Sequence, residues 1–246
     1  MILKILNKTN FLQKFLLPIS RINDLCTLTV TQDSIYNLNR TPDNNFSLYA
    51  LSTDVELVDY TQNKNLSFSD IKKFIKAFDC IQEDVIELQL NENTVEYKSS
   101  STKFKFHLIN DNIVRAPNFN IDKINSFEYD LHFKLNNSVI TTLLKSSTFL
   151  SDSNKIYIST DNGRVMGEMT DKTRSNIDSY STVLCEAFGG EEMSKTLAFN
   201  FDLFRNISSI KSNEMDVRLN TGKGVIAFDI VDDNYKLKYI STAHVS

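Results

Sequence analysis

"LSFSDIKKFIKAFD", residues 66–79, sorts apolar and basic side chains onto opposite sides of one short helix. At about 100° per residue, Phe68, Ile71, Phe74, Ile75 and Phe78 share a face, and Ser69, Lys72, Lys73 and Lys76 take the other. Ser67 or Ser69 is the expected N-cap, because a short hydroxyl satisfies a free backbone N–H at a helix start. The chain around this helix is acidic, with 27 Lys and Arg against 31 Asp and Glu and a formal net charge of −4. A protein that grips nucleic acid over its whole surface is basic. Positive charge gathered on one helix face therefore points to a local contact with a polyanion, or to a plain solvated surface.

The stretch has an echo. "FSDIKKFIKAF" followed by "VIELQL" resembles "FDLFRNISSI" followed by "MDVRLN", with Phe68 matching Phe201, 133 positions on. "LTVTQD" matches "IYISTD" 128 positions on, so the two offsets nearly agree. Around these anchors the chain reads as short alternating strands broken by Asn, Asp and Ser, with "TDNGR" and "TGKG" as hairpin tips that tolerate positive φ. Helical periodicity occurs four times, at residues 8–22, 66–79, 137–146 and 200–211. In each, a cation sits away from the apolar face: Lys14 and Arg21, then Lys72, Lys73 and Lys76, then Lys145, then Arg205. The expected fold class is α+β: two similar strand-rich domains, each with two helices packed on antiparallel sheet. The boundary falls in the Asn-, Asp- and Pro-containing stretch 110–127, giving domains 1–118 and 119–246.

Composition narrows the class. With 246 residues, 41% hydrophobic, the chain is long enough for two medium domains. Six glycines and three prolines argue against flexible linkers. Cys26, Cys80 and Cys185 are far apart and odd in number, which supports neither a CxxC zinc site nor a disulfide framework. The N-terminal "MILKILNKTNFLQKFLLP" is broken by Lys4, Lys8 and Lys14 and lacks a signal-peptide core. No run of 18 apolar residues occurs. A cytoplasmic protein without a membrane span, metal or cofactor is the expectation.

On these residues the sequence resembles the DNA sliding clamps, in particular the polymerase accessory clamp of tailed phages and more distantly the PCNA-type clamps. The resemblance is clearest in "NKIYISTDNGRVMGEM", "SYSTVLCEAF", "TLAFNFDLFRNISSIKSNEMDVRL" and "NYKLKYISTAHVS", and in the first half in "NLNRTPDNNFSLYALST"; it covers essentially the whole chain. It implies a homotrimeric ring of six like domains whose twelve helices line a central hole, encircling double-stranded DNA without regard to sequence. It also implies a DNA polymerase and a clamp-loader ATPase as partners and, as in related phage clamps, late-transcription factors. Lys14, Arg21, Lys72, Lys73, Lys76, Lys145, Arg205 and Lys211 would face the DNA. Subunits would join by strand pairing between 101–109, with Phe104, Phe106 and Leu108, and 179–188, with Tyr180, Thr182 and Leu184. Leu38, Phe46, Val114, Pro117, Ile240 and Ala243 would border a groove for a partner's peptide.

Catalytic patterns are missing. His107, His132 and His244 are the only histidines, and neither GxSxG nor HExxH occurs. "NTGKGV" lacks the glycine a phosphate loop needs five residues before Gly222, where Val217 stands. A non-enzymatic clamp is the leading reading. A viral assembly protein of duplicated β-domains and a β-rich hydrolase are the rivals.

Overall fold

The structure, a computed structural model, describes residues 1–114, 121–150, 153–173, 177–210 and 212–244, the side chains of 123 and 124 apart. The chain divides into two compact units. Unit 1 comprises Met1–Asn118 with Val231–Leu237, and unit 2 comprises Phe119–Ile230 with Lys238–Ser246. A split at 118/119 alone leaves residues 231–237 in the second domain, whereas their contacts assign them to unit 1.

Unit 1 runs β1 (Ile2–Ile5), α1 (Lys8–Asn10), a π-helical stretch Phe11–Leu16, α2 (Leu17–Ile22), β2 (Cys26–Val30), β3 (Ile35–Arg40), β4 (Phe46–Ser52), β5 (Val55–Val58), β6 (Lys64–Phe68), α3 (Ile71–Asp79), β7 (Ile86–Leu90), β8 (Thr94–Lys98) and β9 (Lys103–His107), then a 3-10 turn Asp111–Ile113. Unit 2 adds a short α4 (Ile121–Asn125) and then repeats the order: β10 (Leu131–Asn136), α5 (Asn137–Ser147), β11 (Lys155–Asp161), β12 (Arg164–Met169), β13 (Tyr180–Cys185), β14 (Gly189–Gly190), β15 (Leu197–Asn200), α6 (Asp202–Ile207), β16 (Glu214–Asn220), β17 (Val225–Asp232) and β18 (Tyr235–Thr242), the end of β17 and the start of β18 counting with unit 1. The strand pairing repeats as well. The run β5-β1-β7-β8-β9 has its counterpart in β14-β10-β16-β17-β18, and β4-β3-β2-β6 in β13-β12-β11-β15. Element order and hydrogen-bonded neighbours therefore recur together, as a duplicated domain requires.

Aromatic rings close the core beneath the helices. In unit 1, Phe11 lies 5.0 Å from Phe15 and 6.0 Å from Phe78, and Phe68 lies 4.9 Å from Phe74. In unit 2, Phe204 sits 5.8 Å from Phe201 and 5.5 Å from Phe228. Fully burying each such ring contributes about 1.5–3 kcal/mol.

The local reading of 66–79 is corrected at its start. Residues 66–68 are the end of β6, where Leu66 and Phe68 pair with Leu28 and Cys26 of β2. The cap is neither Ser67 nor Ser69 but Asp70, whose carboxylate accepts from the Lys73 amide at 2.9 Å. Ser67 is occupied elsewhere, bonding Thr27 Oγ1 at 2.7 Å and donating to Asp111 at 2.8 Å. Residues 8–22 are helical throughout but widen into π geometry over Phe11–Leu16, just before Pro18, which has no N–H for an i−4 carbonyl. The last helix spans 202–207 rather than 200–211, because Asn200 ends β15 and its side chain accepts from the Asp202 amide. At the "TDNGR" tip Asn162 and Gly163 take φ of 51° and 76°, the two positive values a type I′ hairpin needs.

Candidate nucleic-acid and partner surfaces

On α3 the amphipathic split is complete: Ile71, Phe74, Ile75 and Phe78 are buried, and Lys72, Lys73 and Lys76 are exposed. Lys72 lies 2.9 Å from Asp24, whereas Lys73 and Lys76 have no carboxylate partner among the described residues. Arg21, exposed in the last turn of α2, is unpaired in the same sense. Lys14 differs. It is half-buried, bonds the Asp232 carboxylate and lies 5.8 Å from the Tyr235 ring, so its charge is already matched. The hydrogen bond from Lys14 in turn holds the Asp232 carboxyl below the usual carboxylate range.

In unit 2, Lys145 is exposed on α5. Arg205 is exposed on α6, pairs with Asp202, donates to Asn154 Oδ1 at 3.0 Å and lies 5.1 Å over the Phe201 ring. Lys211 falls outside the described residues.

The expected contact strands are both sheet edges. β9 ends its run in unit 1, and β13 ends its run in unit 2. Their side chains do less than expected at those edges. Phe104 stacks on Tyr97 at 5.7 Å, Phe106 meets Phe74 edge-on at 5.4 Å, and the exposed positions are Lys103, Lys105 and His107. Leu108 is half-buried and its amide donates to Asn93 at 2.9 Å. Tyr180 and Thr182 are half-buried, but Leu184 is core, at 2% exposure. A Cβ on Gly167 would stand 2.9 Å from Leu184 Cδ2, so that glycine leaves room for it. What these edges offer a second chain is backbone.

The groove residues separate into exposed and buried. In unit 1, Leu38 is half-buried on β3 opposite Tyr49, and Val114 is half-buried after the 3-10 turn. Phe46 is 4% exposed, a core residue fixed where Thr41 and Phe46 close the turn before β4. In unit 2, Ile240 is 8% exposed and packs with Val225 and Ala227 under Ile121, Phe127 and Tyr129. Ala243 is half-buried and its amide donates to Gly224 at 2.7 Å. Pro117 lies outside the described residues. Two residues the sequence did not single out join Leu38 on the outer side of its sheet, Tyr36 and Tyr49, with ring centroids 6.2 Å apart. The period-2 alternation of "IYNLNR" around buried Asn37 and Asn39 is the signal that marks Tyr36 as outward.

Among the described residues no group of three or more His, Cys, Asp and Glu could hold a metal, and no helix is long and apolar enough to cross a membrane.

No family model and no curated protein matches the chain. Solved structures do. A structure of the C-terminal region of FEN-1 bound to A. fulgidus PCNA superposes with a TM-score of 0.79 at 16% identity, covering 100% of this chain and 99% of that one. PCNA from Thermococcus kodakaraensis gives 0.78 at 14%, covering 99% and 100%. The PCNA2–PCNA3 complex of Sulfolobus tokodaii gives 0.72 at 12%, covering 99% of each chain. At end-to-end coverage, and with its domain repeated element by element, the chain has the PCNA-like sliding-clamp fold.

Proposed function

We propose that the protein is a sliding clamp: a ring of three copies that encircles duplex DNA and tethers a replicative polymerase. The end-to-end likeness to PCNA structures carries this reading. Open edges at β9 and β13 support closure by strand pairing between copies. The exposed cations Arg21, Lys72, Lys73 and Lys76 support helical faces turned toward phosphate.

Such contacts are sequence-independent and salt-sensitive. Retention then comes from topology, and the net charge of −4 keeps the rest of the surface from adhering to DNA. No step requires bond-making by this chain. The FEN-1 region bound to the A. fulgidus protein supports docking of a partner's peptide. The sequence resemblance to tailed-phage clamps supports a phage polymerase, its clamp-loading ATPase and late-transcription factors as the partners.

The test is primer extension on circular single-stranded DNA with cognate polymerase and loader, alongside solution mass. The reading requires three times 28.2 kDa and longer products in the presence of the protein. A monomer that leaves product length unchanged overturns it.

A further inference from the structure

The two halves repeat in topology but not in the chemistry of their helices. In unit 1, Arg21, Lys73 and Lys76 are exposed and free of carboxylates among the described residues, and Lys72 is only partly matched by Asp24, its side chain 57% exposed. Among the described residues the equivalent helices of unit 2 are nearly neutral. On α6, Arg205 is paired with Asp202 within the same helix. On α5, Lys145 is the only cation.

Most hydroxyls on the helices of unit 2, Ser138 excepted, are also withdrawn. Thr141 donates to Asn137 O at 2.9 Å, Thr142 to Ser138 O at 3.0 Å and Thr148 to Lys145 O at 2.7 Å. Ser208 and Ser209 of the α6 end likewise donate to Arg205 O and Asn206 O, each at 2.7 Å. A hydroxyl has one hydrogen. Given to its own helix, it is not offered to a phosphate.

We infer that the phosphate grip of this protein is confined to unit 1, through Arg21, Lys73 and Lys76, while the helical face of unit 2 is a low-friction surface that duplex passes without being held. This deepens the clamp reading and rests on it. In a ring of three copies, gripping and neutral sectors would alternate. Three phosphate contacts per copy correspond to a slope of about −2.7 in log affinity against log salt, or roughly 40-fold weaker binding per copy between 50 and 200 mM.

The experiment measures binding of a fluorescent linear 30-base-pair duplex to the full chain by anisotropy across that salt range. Mass and circular dichroism are checked for every variant. Arg21→Gln with Lys73→Gln and Lys76→Gln should weaken binding at least tenfold at 50 mM and flatten the salt slope. Lys145→Gln with Arg205→Gln should stay within twofold of the unmodified protein. Asp202→Asn, which releases Arg205, should tighten binding and steepen the slope by about one.

Equal losses in the two multiple variants, or a unit 1 variant that binds normally, overturn the inference and leave the clamp reading standing. An unmodified protein that shows no duplex binding at 50 mM also overturns the inference, whereas the clamp reading, which rests on topology, falls only with the primer-extension and mass test. Should the triple variant misfold, the three single substitutions give the same comparison.

Discussion

Tyr235 donates its hydroxyl hydrogen to the buried carboxylate of Asp54 at 2.7 Å, joining residues 181 positions apart inside unit 1. The neighbouring Thr53 amide donates to Asn234 at 2.9 Å, so the tip 231–237 is held by side chain and backbone together. Tyr235→Phe leaves the 8%-exposed Asp54 without this donor and should cost about 1–3 kcal/mol in urea unfolding. Burial, with the bond to Asp54 adding to it, raises the Tyr235 hydroxyl well above its ordinary 10. A folded pKa above the unfolded one means the contribution is fully present below pH 10 and is lost as pH rises further. The unmodified protein should therefore lose stability above pH 10 faster than Tyr235→Phe does. Parallel decline of the two would show that this hydroxyl does not set the alkaline limit.

The cap of α3 is equally testable. Asp70→Ala removes the acceptor for the Lys73 amide and should destabilise the protein by about 1 kcal/mol. Ser69→Ala, at the exposed neighbour, should change stability by less than about 0.5 kcal/mol. A larger loss at Ser69 than at Asp70 in denaturant midpoints would reverse the assignment.

At the edge strand β13, Thr182 stands opposite Gly167 of β12. Proline is tolerated at sheet edges but removes a ladder donor. Under the ring reading, Thr182→Pro should yield a folded monomer, seen as one-third of the mass by light scattering with an unchanged far-ultraviolet spectrum. Trimers that persist would move the junction to another edge.

What the sequence disclosed and what it hid divide along physical lines. Strands with one wet face, such as "IELQL" and "KFKFH", alternate cleanly and were legible, as were the positive-φ hairpin tips. β6 was not, because "LSF" fits a helix and a strand equally well until β2 is known to lie beside it. β14 is two glycines with no propensity for a strand. A Cβ on Gly190, at φ 107°, would fall 1.9 Å from the Asp130 carbonyl, so backbone approach and not side-chain pattern makes that pairing. For the surfaces, helical periodicity found the exposed cations but not their partners. Asp232 lies 218 positions from the Lys14 it neutralises, and no local window contains both. The burial of Leu184 and Phe46 is not legible, because a half-apolar strand does not reveal which neighbour covers it.

The outer side of β3 allows docking and folding to be separated by two substitutions in unit 1. Leu38 is half-buried beside Tyr49 and on the same side as Tyr36, whereas Phe46 is core. Loss of a central interface anchor costs on the order of 1 kcal/mol or more, and a tenfold change in affinity is about 1.4 kcal/mol. Leu38→Glu places a charge where a hydrophobic peptide would lie. It should weaken binding of the polymerase C-terminal peptide at least tenfold in anisotropy titrations, with mass and duplex binding unchanged. Phe46→Ala should show the opposite profile, losing about 3–5 kcal/mol of stability through the cavity it leaves, with no specific effect on the peptide while the chain stays folded. Peptide bound to Leu38→Glu as tightly as to the unmodified protein would remove β3 from the docking surface.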